Sequence, residues 1–251
     1  MPWIASATAS QLRQRIDDSN RSASEKRTQY PKWEYEAIRA CYTFIPCPCD
    51  EECFCRQHGC DGHWVINANL SFQQFLNHYA NLWTPYRNSL KNAVLYDSEP
   101  HPRNKGAIPL LQQLKTIWLD ENMLFPEKVA KQRKCMVCDS PLDPKFRDFI
   151  DTARHLYESK AFSQLFYDII VPYDTHSRQA MMKMGYSDPR RSLIRTNDQL
   201  RVDVRAFIVN NRLTVPEFRG LDDPRIYFPR IPERASGQPF SRVVDKLFYR
   251  P

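Results

Sequence analysis

Apolar residues recur every three or four positions through most of this chain. The clearest such stripe comprises Phe72, Phe75, Leu76, Tyr79 and Leu82. Because this spacing places the side chains on one face of an α-helix, it predicts a helix within residues 67–97. Thr84-Pro85 interrupts that helix, since proline lacks the N–H that a helical hydrogen bond requires.

The same periodicity predicts further helices along the chain. They are expected at residues 10–18, 31–44, 107–124, 144–172, 174–184, 197–210 and 240–249. The segment 197–210 is also rich in β-branched residues, so a strand stays open as an alternative there. No internal repeat with a fixed period is present. The pattern therefore predicts a mainly α fold, built as a multi-helix domain.

Polar and proline-rich stretches set the expected boundaries of that domain. Residues 1–30 are polar and predict an extended N-terminal arm, and residues 31–210 form the helical domain. Residues 211–251 are rich in proline and arginine, which predicts an extended C-terminal arm that ends in a short helix. Within the domain, residues 41–66 are predicted to be an irregular insertion rich in cysteine and histidine.

The insertion carries the strongest chemical signal in the sequence. Residues 47–63 contain five cysteines and two histidines, and the pair Cys135-x-x-Cys138 lies within a second predicted loop at residues 133–144. Thiolate sulfur and imidazole nitrogen are the preferred ligands of zinc, and closely spaced pairs can bind one ion from a tight turn. The sequence predicts a zinc-stabilised fold in which the second loop joins the insertion.

Nine residues are candidate zinc ligands, which is enough for one or two ions. They are Cys47, Cys49, Cys53, Cys55, His58, Cys60, His63, Cys135 and Cys138. Cys41 lies on a helical stripe and is expected to be a buried thiol. A site so rich in sulfur saturates its metal, which indicates a structural rather than a catalytic ion. In an extracellular protein the eight cysteines would instead form disulfides.

Several functional classes are disfavoured by missing motifs. Only six glycines occur, and neither glycine-rich nucleotide-binding loop is present. The motifs of zinc deaminases and of His-Glu-x-x-His proteases are also missing. The sequence shows no secretory signal and no apolar stretch of membrane-spanning length, which favours an intracellular protein that does not contact a membrane.

The charge pattern favours a polyanionic partner. The formal net charge is +7, from 36 basic and 29 acidic residues. Basic residues cluster in three segments with interleaved aromatic residues, a composition typical of phosphate contact and base stacking. The candidate contacts are Lys131, Arg133, Lys134, Arg190, Arg191, Arg195, Arg219, Arg225 and Arg230. The leading expectation is a zinc-stabilised protein that binds DNA or RNA, or forms part of a nucleoprotein assembly.

Two alternatives stay open. The segment Pro172-Tyr-Asp-Thr-His176 resembles the Pro-x-Asp-Thr-His segment of helix-hairpin-helix DNA glycosylases, in which the aspartate is catalytic. That resemblance implies a DNA-processing enzyme with Asp174, and His176 beside it, in the active site. Alternatively, Asp174 simply caps the helix that begins there. The second alternative is a structural subunit of a large particle, whose arms would wrap around neighbouring protein subunits.

Overall fold

The computed structural model describes residues 3–120, 125–153, 155–231 and 237–248, and it is mainly helical, as the sequence predicted. The helices are α1 (Trp3–Ser6), α2 (Ala9–Glu25), α3 (Tyr30–Cys41), α4 (Phe54–Gln57), α5 (Phe72–Trp83), α6 (Arg87–Tyr96), α7 (Ile108–Leu119), α8 (Phe125–Ala130), α9 (Pro144–Ile150), α10 (Leu156–Leu165), α11 (Thr175–Lys183), α12 (Leu193–Asn210), α13 (Val215–Arg219) and α14 (Phe240–Phe248). Short 3₁₀ turns cover Pro102–Ala107 and Pro224–Ile226.

Helix α5 follows the strongest apolar stripe in the sequence. The side chain of its N-cap residue Ser71 accepts a hydrogen bond from the Gln74 backbone N–H, and the Gln74 side-chain oxygen accepts one from the Ser71 backbone N–H. The apolar face is buried against α3, α6, α7 and α10. The helix ends at Trp83, because Thr84-Pro85 cannot continue it. The segment expected to be either helix or strand is resolved as α12, a helix of 18 residues.

A two-stranded antiparallel hairpin, which the sequence analysis did not predict, holds the cysteine-rich insertion. Strand β1 (Tyr42–Pro46) pairs with β2 (Gly62–Ile66), with Tyr42 opposite Ile66 and Pro46 opposite Gly62. Gly62 is required at the open end, since an added Cβ would lie 2.2 Å from the Ile45 carbonyl oxygen. The predicted helix over 31–44 therefore ends at Cys41, and the insertion leaves and returns through paired strands.

The predicted N-terminal arm is instead folded into the core. Helix α1 packs against α12, and α2 packs against α14. Ile4, Leu12 and Ile16 are fully buried. Burial of these three large aliphatic side chains contributes to ordering the segment, and its mostly polar composition concealed them.

The predicted C-terminal arm also belongs to the core. Helix α14 is the short terminal helix that the sequence predicted, but its described residues are buried on almost every side. Phe240, Val243, Val244 and Leu247 have no exposed surface, and even Arg242 is only 3% exposed. A helix surrounded by protein cannot act as a mobile arm. Among the described residues, no helix is both long and apolar enough to span a bilayer.

Candidate metal centre

The hairpin, the short helix α4 and the Cys135–Cys138 turn bring most of the predicted ligands together. Cys47 and Cys60 flank the paired strands, and the Cys47 backbone N–H donates to the Asp61 carbonyl oxygen. Cys53 is the N-cap of the short helix α4, and Cys55 lies inside it. The Cys135–Cys138 turn closes with a hydrogen bond between the two backbones and packs beside them. Segments some 80 residues apart in sequence thus meet at one point.

Sulfur–sulfur distances in the cluster match those expected around single metal ions. Cys55 Sγ lies 3.8 Å from Cys47 Sγ, 3.5 Å from Cys53 Sγ and 3.6 Å from Cys138 Sγ. Cys138 Sγ is also 3.6 Å from the sulfurs of Cys49 and Cys135. With zinc–sulfur bonds of about 2.3 Å, the edge of a tetrahedron is about 3.8 Å. These sulfurs are therefore spaced as neighbouring ligands of one ion would be. Cys53, although predicted as a ligand, belongs to no compact set of potential ligands among the described residues.

His63 joins two parts of the cluster. Its ring is fully buried, with Nε2 3.8 Å from Cys49 Sγ and Nδ1 3.8 Å from Cys60 Sγ. Two sets of four ligands have the compactness that an ion needs, and both contain Cys55 and His63. The first set adds Cys47 and Cys60, and the second adds Cys49 and Cys138. Together the two sets contain six residues, which is more than the four ligands of one tetrahedral ion.

His58 is not part of this cluster, although the sequence predicted it as a ligand. Its Nδ1 lies 2.9 Å from the Phe54 carbonyl oxygen, and its ring stacks on the Phe54 ring at 4.0 Å. The reason is local, because His58 is the C-cap of α4 and its side chain turns back along that helix. Cys41, expected to be a buried thiol, is fully buried outside the compact sets, and burial raises its pKa to about 12.

Electrostatic interactions within the cluster favour charge on some of its sulfurs. Hydrogen bonds from the Cys135 thiol lower the pKa of both Cys60 and Cys138. Burial lowers the pKa of His63, but Cys60, Cys138 and Asp168 outweigh this and raise it overall. The pKa values of the other cluster thiols, those of Cys47, Cys49, Cys55 and Cys135, are raised instead. Negative charge is therefore favoured on two buried sulfurs, and a cation bound between them would stabilise it.

Asp168 lies beside the cluster, and nothing in the sequence around it indicated that position. Its carboxylate accepts hydrogen bonds from the Trp64 N–H at 3.2 Å and the Phe240 N–H at 2.8 Å. It also pairs with Arg219 at 2.6 Å, with both side chains fully buried. Asp168 lies within reach of His63 and Cys135 and forms a third compact set with them. Burial raises the pKa of Asp168 to about 6, even though Arg219 and His63 lower it.

Helix α12 holds the Cys135–Cys138 turn from the other side. Arg205 donates to the Val137 carbonyl oxygen at 2.6 Å and pairs with Asp139 at 2.7 Å. One turn earlier, Arg201 donates to the Asp139 carbonyl oxygen at 2.8 Å. Asp139 in turn accepts from the Phe54 backbone N–H, which links the turn to α4. The i, i+4 spacing of the two arginines was visible in the sequence, but their target was not.

Arg219 cannot make the phosphate contact that the sequence predicted. It has no exposed surface, and it donates to the Gly62 carbonyl oxygen at 2.8 Å as well as to Asp168. Its guanidinium also lies over the Phe44 and Phe240 rings. The proline-rich sequence around Arg219 had suggested an extended arm, whereas α13 places this residue against the hairpin.

The other predicted phosphate contacts are reachable from solvent to different degrees. Lys131 is exposed and pairs with Glu127, and Arg225 pairs with Asp223. Lys134 is half-buried. Five predicted positions are exposed and form no ion pair among the described residues, namely Arg133, Arg190, Arg191, Arg195 and Arg230. Three of these five lie together where α12 begins.

Asp174 is the N-cap of α11. Its Oδ1 accepts hydrogen bonds from the backbone N–H groups of His176 and Ser177, each at 2.8 Å. This is the capping role that the sequence offered as one interpretation, and His176 is exposed. Asp174 also lies on the wall of a cavity of about 470 Å³, so capping does not remove it from a site where a ligand would fit.

Comparison with known proteins adds no relative. No protein family model, curated protein or solved structure matches this chain.

Proposed function

We propose that this chain is a zinc-stabilised protein that binds nucleic acid through the exposed arginines at the start of α12. The observation that carries the proposal is the position of α12. Arg201 and Arg205, in the middle of the helix, hydrogen-bond to the Cys135–Cys138 turn and the residue after it. Arg191 and Arg195 are exposed at the N-terminal end of the helix. The metal centre would fix the helix, and the helix would present the arginines to phosphate.

The surface at this end of α12 is suited to a polyanion. Arg191 and Arg195, together with Ser187 and Ser192, line an open pocket with a volume of about 550 Å³. The nearby Asp188 is neutralised by a different residue, because Arg178 pairs with it at 2.5 Å and lowers its pKa to about 2. The exposed arginines therefore keep their positive charge for a partner, and guanidinium groups bind phosphate in a bidentate manner.

Zinc is the metal that we propose for the centre, with two ions that share Cys55. The first ion would bind the first compact set, Cys47, Cys55, Cys60 and His63. Because His63 would serve that ion, the second would bind Cys49, Cys55 and Cys138 of the second set together with Cys135, whose sulfur lies 3.6 Å from that of Cys138. Cys55 is suited to the shared position because it is fully buried and contacts sulfurs of both sets. Four ligands of sulfur and nitrogen around each ion leave no open coordination position, which fits a structural role.

Metal content tests this part of the proposal. Purified protein is expected to contain two zinc ions per chain, and removal by a chelator is expected to unfold it, because structural zinc contributes directly to folding. Cys53 provides a matched control for Cys55, because it touches Cys55 but is not needed by either ion. Cys55→Ser should lose zinc, whereas Cys53→Ser should keep both ions. Equal loss in the two variants would contradict the shared-ligand assignment.

Nucleic-acid binding is tested by its dependence on salt. The test variant has glutamine in place of three arginines, Arg190, Arg191 and Arg195. The control variant has glutamine in place of three other arginines, Arg13, Arg39 and Arg56. The second set is also exposed and removes the same charge. Each phosphate contact adds about 0.9 to the slope of log affinity against log salt for duplex DNA. The slope should become shallower by about three times this amount in the first variant and should change little in the control. No binding to duplex or single strands at low salt would favour a structural subunit instead.

A second candidate function is a DNA-processing enzyme with Asp174 in its active site. The observation in its favour is that Asp174 lines the cavity of about 470 Å³ while it caps α11. Base release from damaged duplex DNA, lost in Asp174→Asn at unchanged thermal stability, would support this function. Intact activity in that variant, or no activity in the wild-type protein, would exclude Asp174 as a catalytic group.

A further inference from the structure

The cavity beside α11 is lined by none of the cluster's potential ligands, and one of its charged side chains has no ion-pair partner among the described residues. Its volume is about 470 Å³, and its walls come from α2, α3, α5, α10, α14 and residues 172–174. Leu82, Trp83 and Pro172 give it apolar surface, and several charged side chains line the rest. A concave site with apolar walls and a few convergent polar groups is the usual form of a small-molecule site.

Most of the charged groups around the cavity are already paired. Arg242 donates to both carboxylate oxygens of Glu34, at 2.8 and 3.2 Å, and to Asp245 at 2.5 Å. Lys246 pairs with Asp222 at 2.6 Å. The Arg242–Glu34 pair links α14 to α3, and the Lys246–Asp222 pair links α14 to the segment after α13. A ligand would have to break these pairs to use their charges.

Lys160 is different. Among the described residues its ammonium group has no hydrogen-bond acceptor and no ion-pair partner. Its Nζ instead lies 5.1 Å from the centre of the Trp83 ring and 5.3 Å from that of Tyr157. Burial lowers the pKa of Lys160, although Asp174 and Asp245 raise it. A larger share of this amine is therefore neutral near pH 7 than of an ordinary surface lysine, and a neutral amine is a nucleophile.

The charges around Lys160 indicate which ligands the cavity would accept. The four basic residues on its walls, Lys26, Lys160, Arg242 and Lys246, face the acids Glu34, Asp174 and Asp245, with Asp222 held by Lys246. The site is close to electrically balanced, so an anionic ligand would gain little and would be repelled by Asp174. A neutral ligand with an electrophilic carbon would meet no such repulsion.

We propose that the cavity binds a small neutral carbonyl compound and that Lys160 condenses with its carbonyl carbon. The amine nitrogen forms a bond to that carbon, the carbonyl oxygen takes up the two amine hydrogens and leaves as water, and a C=N bond remains. The proposal rests on the cavity and Lys160 and is independent of the metal centre and of nucleic-acid binding.

The test uses salicylaldehyde as the probe and sodium cyanoborohydride to reduce the C=N bond to a stable secondary amine at pH 7. The labelled wild-type protein is digested, and the rate of modification of each lysine is measured by mass spectrometry. Lys26 is the internal control, because it lies at the same cavity but is exposed. Lys160 is expected to react at least tenfold faster than Lys26.

Two variants separate binding in the cavity from general amine reactivity. Ala23 lies on the cavity wall, so Ala23→Leu should narrow the cavity and slow labelling of Lys160 without affecting Lys26. Lys160→Arg should remove the fast reaction alone. If Lys160 reacts no faster than Lys26 in the wild-type protein, the proposal is wrong. It is also overturned if benzoate stabilises the wild-type protein but not Lys160→Arg while no adduct forms, because the cavity would then be an anion site.

Discussion

Replacing Arg219 distinguishes a buried, structural arginine from the exposed, phosphate-binding arginine that the sequence predicted. A phosphate-binding arginine on an exposed arm could be changed with little effect on stability. In the structure, Arg219→Met removes the guanidinium from a pair in which both side chains are fully buried. The Asp168 carboxylate would then keep only its hydrogen bonds from the Trp64 and Phe240 backbones.

The size of the effect follows from the burial of the charge that is left behind. Removing one partner of a buried ion pair costs about 3–5 kcal/mol, because the remaining charge is no longer compensated. The Gly62 carbonyl oxygen also loses its hydrogen bond from Arg219. For a chain of this length, each kcal/mol lowers Tm by about 2–4 °C, so we expect a decrease of roughly 6–20 °C.

The assay is thermal unfolding of zinc-loaded protein, followed by circular dichroism, with Arg230→Met as the matched control. Arg230 was predicted for the same phosphate contact and is exposed. Its variant should unfold within about 0.5 kcal/mol of the wild-type protein. The double variant with Asp168→Asn should be less unstable than the sum of the two single variants, since neither charge is then left alone. If Arg219→Met unfolds like Arg230→Met, the buried pair does not stabilise the fold.

Three further predictions follow from other parts of the structure. Replacing Arg205 with methionine should weaken the hold of α12 on the Cys135–Cys138 turn and speed zinc loss to a competing chelator, whereas Arg212→Met should not. Burial raises the pKa of Asp245 to about 6, so its contribution to stability is complete below about pH 4 and is lost as the pH rises through 6. The stability of Asp245→Asn relative to the wild-type protein should therefore improve between pH 4 and 7, by up to roughly 3 kcal/mol, measured by urea unfolding, and a constant difference would contradict the shift. Cys41→Ser should keep its full zinc content, measured by elemental analysis, because Cys41 lies outside the cluster.

The regular helices were predictable because their apolar residues follow a local period. Helix α5 carries both its stripe and the Ser71–Gln74 capping box in 13 consecutive residues. The cluster of Cys47 to Cys60 with Cys135 and Cys138 was predictable for a different reason, since so many thiols at close spacing have few uses besides metal binding. In both cases the signal lies in a short stretch of sequence.

The sequence failed where a residue's role depends on a distant partner. Leu12 and Ile16 lie in a polar segment, and their burial depends on α14, which packs against α2 from the other end of the chain. Asp168 and Arg219 are 51 residues apart, and nothing near either residue indicates the pairing. His58 was assigned by residue type alone, and the geometry of α4 decided against it. The β1–β2 hairpin was hidden because its strands are only five residues long and flank a cysteine-rich loop.

The metal centre connects these distant parts, which bears on how binding and stability would be related. The hairpin, the Cys135–Cys138 turn and Asp168 meet at the cluster. Arg205 of α12 donates a hydrogen bond to that turn and so fixes the helix against it. Bringing segments so far apart together costs chain entropy on folding, and an ion bound at the cluster would offset part of that cost. If the exposed arginines at the start of α12 bind phosphate, their arrangement depends on the same contacts. Loss of metal should then reduce nucleic-acid affinity, because the turn that contacts α12 would no longer be held by the cluster.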